Sequence, residues 1–299
     1  MQEKLTLLGC SEVFKAVPQL AESLLGIKTS ESQVYRICNA ASEALAEADL
    51  NSPSEPLASL QTDPQELIYG MVDGSMLFTD DGWQESKVGR VFKGAPRQPK
   101  AKKHHSWDIT HSEYVAKRGH WKLFAKEFER LLPPESPCQK VFITDGALWI
   151  GLWLLAQYPD AVHILDFFHV CEKLAKVAVW AETADWFEQM KTHLLAGRQL
   201  KVRQSILQMK QLPAEQKDDL LTYLENNEYR MKYDEYRNKG LMIGSGPIES
   251  AHRTLLQIRM KRSGQRWSDD GCDKMIKLRV ALRSQKFDLI TNIFRKSAA

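Results

Sequence analysis

Residues Cys138 to Gln157 read CQKVFITDGALWIGLWLLAQ. A short buried-type run, CQKVFIT, ends on Asp145, and a strongly apolar segment, ALWIGLWLLAQ, follows at once. The first has the length and composition of a strand and the second those of a buried helix. A charge set between two segments that both seek burial has two explanations. Asp-Gly is a common turn pair, and Asp145 is also a suitable N-cap for the helix. Alternatively, the carboxylate faces a metal at the mouth of a sheet.

Reading outward from this point gives the architecture. Upstream, LIYGMVDGSMLFTDDGWQESKVGRVFKG holds a strand over 67–72, a turn at Thr79–Gly82 and a second strand, SKVGRVF. Residues 103–110 suit a third strand. Residues 111–132 have helical period and stop at Pro133-Pro134. Downstream, AVHIL is a further strand, 170–235 reads as wholly helical, and GSGPIESAHRTLLQIRMKR opens another helix after a Gly-rich turn. The order β-β-β-α-β-α-β predicts an α/β chain with a mixed sheet and helices packed on it.

At the N-terminus, SEVFKAVPQLAESLL is helical, Gly26 stops it, and Thr29 and Ser30 are N-cap types for a second helix, ESQVYRICNAASEALAEA. The pair resembles a helix-turn-helix presenting Ser32, Gln33, Arg36 and Asn39. Glu31, Glu43 and Glu47 on the same helix repel phosphate, which favours packing or dimerisation over DNA reading. The Pro-, Ser- and acid-rich segment 51–66 reads as a linker.

The composition, 43% hydrophobic and 26% charged, is that of a globular chain with material for a core. Net charge is only +3, but it is unevenly spread. Lys87–Lys122 holds ten Lys/Arg against two acids, and His252–Lys286 ten against three. Two basic blocks on a near-neutral chain point to a polyanion met by particular faces. Cys10, Cys38, Cys138, Cys171 and Cys272 are odd in number and lack CxxC spacing, which argues against a disulfide framework and a thiolate zinc site. The longest apolar run, 147–156, falls short of the ~20 residues of a spanning helix, and no signal-peptide core is present. A cytoplasmic protein without membrane partners is expected.

Four acids lie where chemistry is expected: Asp73 in MVDGS, Asp145 in FITDG, Asp166 in HILDFFHV and Glu249 in GSGPIES. Each has an ordinary explanation as a turn, bulge or cap residue. Gly246, Pro247 and Glu249, for instance, fit N-cap, N1 and N3. Together they suit a crevice at adjacent strand ends, with a third carboxylate delivered by a helix. Hard divalent cations take such oxygen ligands, and two of them stabilise in-line phosphoryl transfer.

In order along the chain, VDGSM, GWQESKVGRVF, ITDGALWIGLWLLAQYPDAVHILDFFHV, GSGPIESAHR and MKRSGQRWSDDGCDKMIKLRVALRS resemble the motifs of bacterial insertion-sequence transposases with a DDE catalytic domain, of the Mutator-like kind. The resemblance covers roughly residues 67 to 290. It implies an RNase H-like core over 67–169 and 240–290, a helical insertion over 170–239, and a small N-terminal helical region over 1–50. It implies Asp73, Asp145 and Glu249 as the catalytic, metal-binding triad, holding two Mg²⁺ or Mn²⁺. Asp166 and His169 form the Asp-x-x-His pattern of this group, either near the metals or bracing the insertion helix. Double-stranded DNA, both transposon ends and target, is the implied partner of a homo-oligomer. Lys100, Lys102, Lys103, Arg259, Lys261, Arg262 and Arg266 are candidate backbone contacts. Trp267 suits base stacking or, more simply, the core. The family carries a longer N-terminal region, so a truncated copy is one reading. The rival functions are a nuclease that cuts without joining, a DNA-binding remnant without catalysis, and a two-carboxylate hydrolase acting on sugars.

Overall fold

The computed structural model describes residues 1–51, 66–96 and 107–296. Lys100, Lys102 and Lys103 lie outside the described residues, as does most of the 51–66 segment. The five strands are β1 Leu67–Thr79, β2 Gly82–Pro96, β3 Trp107–Arg118, β4 Gln139–Thr144 and β5 Val162–Leu165. They form one mixed sheet in the order β3-β2-β1-β4-β5. The β1-β2 and β2-β3 pairs are antiparallel, and β1-β4 and β4-β5 are parallel. Asp80 and Asp81 make the two-residue turn between β1 and β2, with Gly82 at φ +90°.

The sheet has helices on both faces. On one lie α4 Trp121–Leu131 and α5 Leu148–Gln157. Their Phe124, Phe128, Ile150, Trp153 and Leu154 pack on Ile68 and Val72 of β1 and Phe142 of β4. Residues of the opposite parity, Tyr69, Met71, Val141, Ile143 and Ile164, face the second layer. That layer begins with α6 Phe167–Val177 and continues through α7 Trp186–Leu195, α8 Gln199–Gln208, α9 Ala214–Asn226 and α10 Tyr233–Asn238. The chain returns through α11 Gly246–Ala251, a π-helical turn His252–Gln257 and α12 Ile258–Met260, then α13 Asp269–Arg283 and α14 Phe287–Lys296.

One strand departs from the sequence expectation. Residues 111–118, expected to start a helix, continue β3, and the helix starts only at Trp121. Tyr114, Val115 and Ala116 are buried against the sheet, and pairing with β2 outweighs local helical period. Gly119, at φ +89°, then turns the chain, and His120 Nδ1 caps α4 at the Lys122 amide.

At the N-terminus, α1 Gln2–Ser11, α2 Val17–Leu25 and α3 Glu31–Asn51 share a core with α13. Ser30 Oγ accepts from the Gln33 amide, as an N-cap should. Val34, Cys38, Ala41 and Leu45 are buried, while Ser32, Gln33 and Arg36 are exposed. Among the described residues, no helix is long and apolar enough to cross a membrane.

The register between β1 and β4 is locked where Gly70 faces Phe142. A Cβ on Gly70 would lie 2.4 Å from Phe142 Cε1 and 3.2 Å from Phe128 Cζ, so the ring fills the space of a missing side chain. Gly70→Ala should therefore destabilise the protein by about 1–3 kcal/mol. A urea-unfolding comparison with the wild type measures it, and equal midpoints would show that the contact does not hold the register.

Candidate active site

The β1-β4 register pairs Val72 with Thr144, and the β4-β5 register pairs Thr144 with Leu165. The next residue on all three strands is an aspartate: Asp73, Asp145 and Asp166. Three carboxylates therefore stand side by side beyond three adjacent parallel strand segments, where open sheets form their crevices. The period of two continues the series Tyr69, Met71 and Val141, Ile143, so Asp73 and Asp145 belong to the sheet face on which α11 lies.

Their surroundings differ. Asp73 Oδ1 accepts from the Gly74 amide at 2.7 Å, and Oδ2 lies 3.1 Å from Nε2 of His252. The His252 contact is close but poorly aligned for a hydrogen bond, and neither ring nitrogen of this buried histidine has a well-formed one. Burial opposes ionisation of Asp73, yet His252 and the Gly74 amide outweigh it and hold the carboxyl below its usual range. Asp145 goes the other way: burial, then the charge of Asp73, raises it. Asp145 Oδ1 accepts from the Ala147 amide at 3.0 Å, which makes a turn. The N-cap of α5 is Ala147, so the cap reading of Asp145 does not hold.

Asp166 is fully buried and saturated. Oδ1 accepts from the amides of Phe168 and Ser245, and Oδ2 pairs with Ser245 Oγ and with His169 Nδ1 at 2.6 Å. A carboxylate has about four acceptor positions, so none is left for an ion. Asp166 caps α6 and ties it to the turn that precedes α11. Its hydrogen bond raises His169 to about 9 against the cost of partial burial. His169 is thus an imidazolium at neutral pH, and its charge reaches both Asp145 and Asp73. The sequence candidates Asp166 and His169 are engaged with each other, in a brace that also presents positive charge to the pair.

Glu249 is exposed on α11, whose N-cap is Ser245 rather than Gly246. Arg90 Nη1 donates to Pro247 O at 2.9 Å and pins α11 to β2. Among the described residues, no three His, Cys, Asp or Glu side chains stand close enough to hold one ion. The structure places Asp73 and Asp145 at neighbouring strands, and Glu249 on the helix whose next turn carries His252.

Three neighbours escaped sequence reasoning. His252 lies one helical turn after Glu249, in the π-helical turn, a feature frequent at functional sites. Its i+3 spacing from an acid in GSGPIESAHR was the available signal. Arg230 is buried and donates to Thr144 Oγ1 and to Asp145 O, both at 3.1 Å, and to Asn227 Oδ1. Tyr223 packs on Gly146. No local signal marks either residue, because both arrive from the distant helical segment.

The basic candidates divide. Arg259 is fully buried, which overturns its reading as a DNA contact. Its Nε donates to Gly9 O at 2.9 Å, and its guanidinium lies between the rings of Phe14 and Trp267. Arg279 likewise donates to Cys10 O at 2.9 Å. Both satisfy carbonyls at the end of α1 that the helix itself leaves open. Arg262 and Arg266 are exposed but paired with Glu12 and Asp80. Lys261 is exposed, but neighbours crowd its amine enough for desolvation to lower it, while the charge of Asp73 acts the other way. Trp267 is buried and donates to Met260 O at 3.1 Å.

Comparison with protein-family models finds none that matches, and comparison with curated proteins finds no match.

Two outcomes follow. Arg259→Ala should cost about 2–3 kcal/mol in urea unfolding through lost packing and the lost helix-end bond. In a parallel test for DNA binding, any salt slope should be the same as for the wild type, and a lower slope with intact stability would restore Arg259 as a phosphate contact. For His169, the folded value lies above the unfolded one. Its stabilisation is complete below about pH 6.5 and lost as pH rises through about 9. In metal-free buffer, the stability gap between wild type and His169→Asn should close over that window, and a gap independent of pH would refute the imidazolium.

Proposed function

We propose that this chain is a DDE transposase with an RNase H-like core, a metal-dependent enzyme that cleaves DNA at transposon ends and joins them to target DNA. The observation that carries this reading is the paired placement of Asp73 and Asp145, one residue past a matched register on adjacent parallel strands. A three-stranded antiparallel unit followed by two parallel strands, with helices on both faces, suits such a core. The ordered sequence motifs supply the rest of the argument.

The donor set fits a hard divalent cation. Asp145 is raised partly by the charge of Asp73, a repulsion that a bound cation would relieve. Mg²⁺ or Mn²⁺ needs only one or two protein carboxylates when water and phosphate oxygens complete its shell. Asp73 and Asp145 would hold it, and Glu249 is the third ligand by analogy. When bound, the metal lowers the pKa of an attacking water or 3′-hydroxyl and offsets phosphate charge. The protein's own groups prepare the site. His169 sets a positive charge beside the pair, and Lys261 adds another near Asp73. Both draw in a phosphodiester and lower the repulsion it meets from the aspartates. The exposed Lys261, Arg262 and Arg266 suit contacts to the backbone of double-stranded DNA, the partner of this reading.

The test is Mn²⁺ titration calorimetry on wild type, Asp73→Asn and Asp145→Asn, with Mn²⁺-dependent nicking and joining of end-bearing plasmid alongside. Each substitution should lower Mn²⁺ affinity by about 100-fold, or about 2.8 kcal/mol, and abolish turnover. Nicking without joined products would make the chain a nuclease. Metal binding indifferent to both substitutions, with DNA affinity intact and no turnover, would leave a binding remnant.

A further inference from the structure

The helical segment between β5 and α11 brings one unused group to the aspartates. Tyr223, near the end of α9, presses its ring on the turn after β4. A Cβ on Gly146 would lie 2.1 Å from Tyr223 Cε2 and 2.9 Å from Cζ. Cδ2 follows at 3.1 Å, so the Cε2 edge of the ring, next to the hydroxyl-bearing carbon, meets the Asp145-Gly146 turn. The Tyr223 hydroxyl is buried and has no hydrogen-bond partner among the described residues. Burial, above all, pushes its ionisation up, and the charges of Asp145 and Asp166 reach it. It is a neutral O–H donor at the edge of the carboxylate row. Lys173 Nζ lies 4.3 Å from the ring centroid.

The Tyr223 backbone is tied to Asp145 through a chain of hydrogen bonds. Asn227 Nδ2 donates to Tyr223 O at 2.8 Å, Asn227 Oδ1 accepts from Arg230, and Arg230 donates to Thr144 Oγ1 and Asp145 O. A ring serving only as a wedge on Gly146 would be better made by phenylalanine, since a buried hydroxyl without a partner is disfavoured. Buried polar groups left open in this way call for a partner that the protein alone does not supply.

We propose that Tyr223 is a substrate-contacting residue of this site, its hydroxyl donating to a non-bridging oxygen of a phosphodiester held beside Asp145. This rests on the phosphoryl-transfer reading above. It assigns the helical segment a direct part in substrate binding.

The experiment is calorimetry of wild type and Tyr223→Phe, first with Mn²⁺ alone and then with thymidylyl-thymidine in the presence of Mn²⁺, together with thermal melts. Tyr223→Phe should bind Mn²⁺ like the wild type and melt no lower. It should bind the dinucleotide about 10-fold more weakly. Equal dinucleotide affinity in the two proteins overturns the proposal, as does failure of the wild type to bind it once Mn²⁺ is bound. Mn²⁺ affinity falling as far as dinucleotide affinity would make Tyr223 a brace for Asp145, and also overturns it. Mn²⁺ binding to neither protein sinks the phosphoryl-transfer reading itself and the proposal with it, so the two failures are distinct.

Discussion

Parallel strands have no hairpin to set their register, so side-chain packing must do it. Between β1 and β4 this falls to Phe142, whose ring occupies the space where Gly70 has no side chain. A slip of one residue would turn Asp73 from the face of α11 to the face of α4 and α5, among Val72, Phe124 and Phe128. The aromatic cluster on that face has no place for a charge. The same packing that fills the core therefore decides where the carboxylates emerge.

The second layer of control is electrostatic. Three adjacent aspartates would repel one another, and the fold divides their roles. Asp166 is buried and consumed by Ser245, two backbone amides and His169. Its charge favours the imidazolium of His169, whose charge reaches the remaining pair. Asp73 and Asp145 keep open oxygens and are shifted in opposite directions. Two titratable groups pushed apart by their environments are a common sign of a working site.

Much of the sheet was legible because its signals are local. Apolar runs, the Thr79–Gly82 turn and the strand-then-acid pattern at Asp145 depend on a few neighbouring residues. The second half of β3 was not legible, since EYVAK suits a helix until β2 pairs with it. Arg259 was misread for a related reason: charge implies surface unless distant partners exist, and Phe14 and Gly9 lie 245 and 250 positions away in sequence. At the site, the adjacency of Asp73 and Asp145 could be argued from strand order. The parts played by Tyr223, Arg230 and Ser245 could not, because each acts through a contact between segments with no shared motif.

The helical segment leaves the sheet at Asp166 and returns at Ser245, and these two residues touch. Its ends are pinned together by the residue that braces the site. Closing a longer loop between fixed ends costs little, about 0.6 kcal/mol for each doubling of length. The exposed turn at Lys210 and Gln211, between α8 and α9, can thus lengthen without moving the aspartates, whereas the buried faces of α7 and α8 are held in the core. The return end, from Tyr223 to Arg230, has no such freedom, because it grips Thr144, Asp145 and Gly146. Tolerance to insertion thus differs along one run of helices, and from Tyr223 to Arg230 it is limited by hydrogen bonds and not by where the helices begin or end.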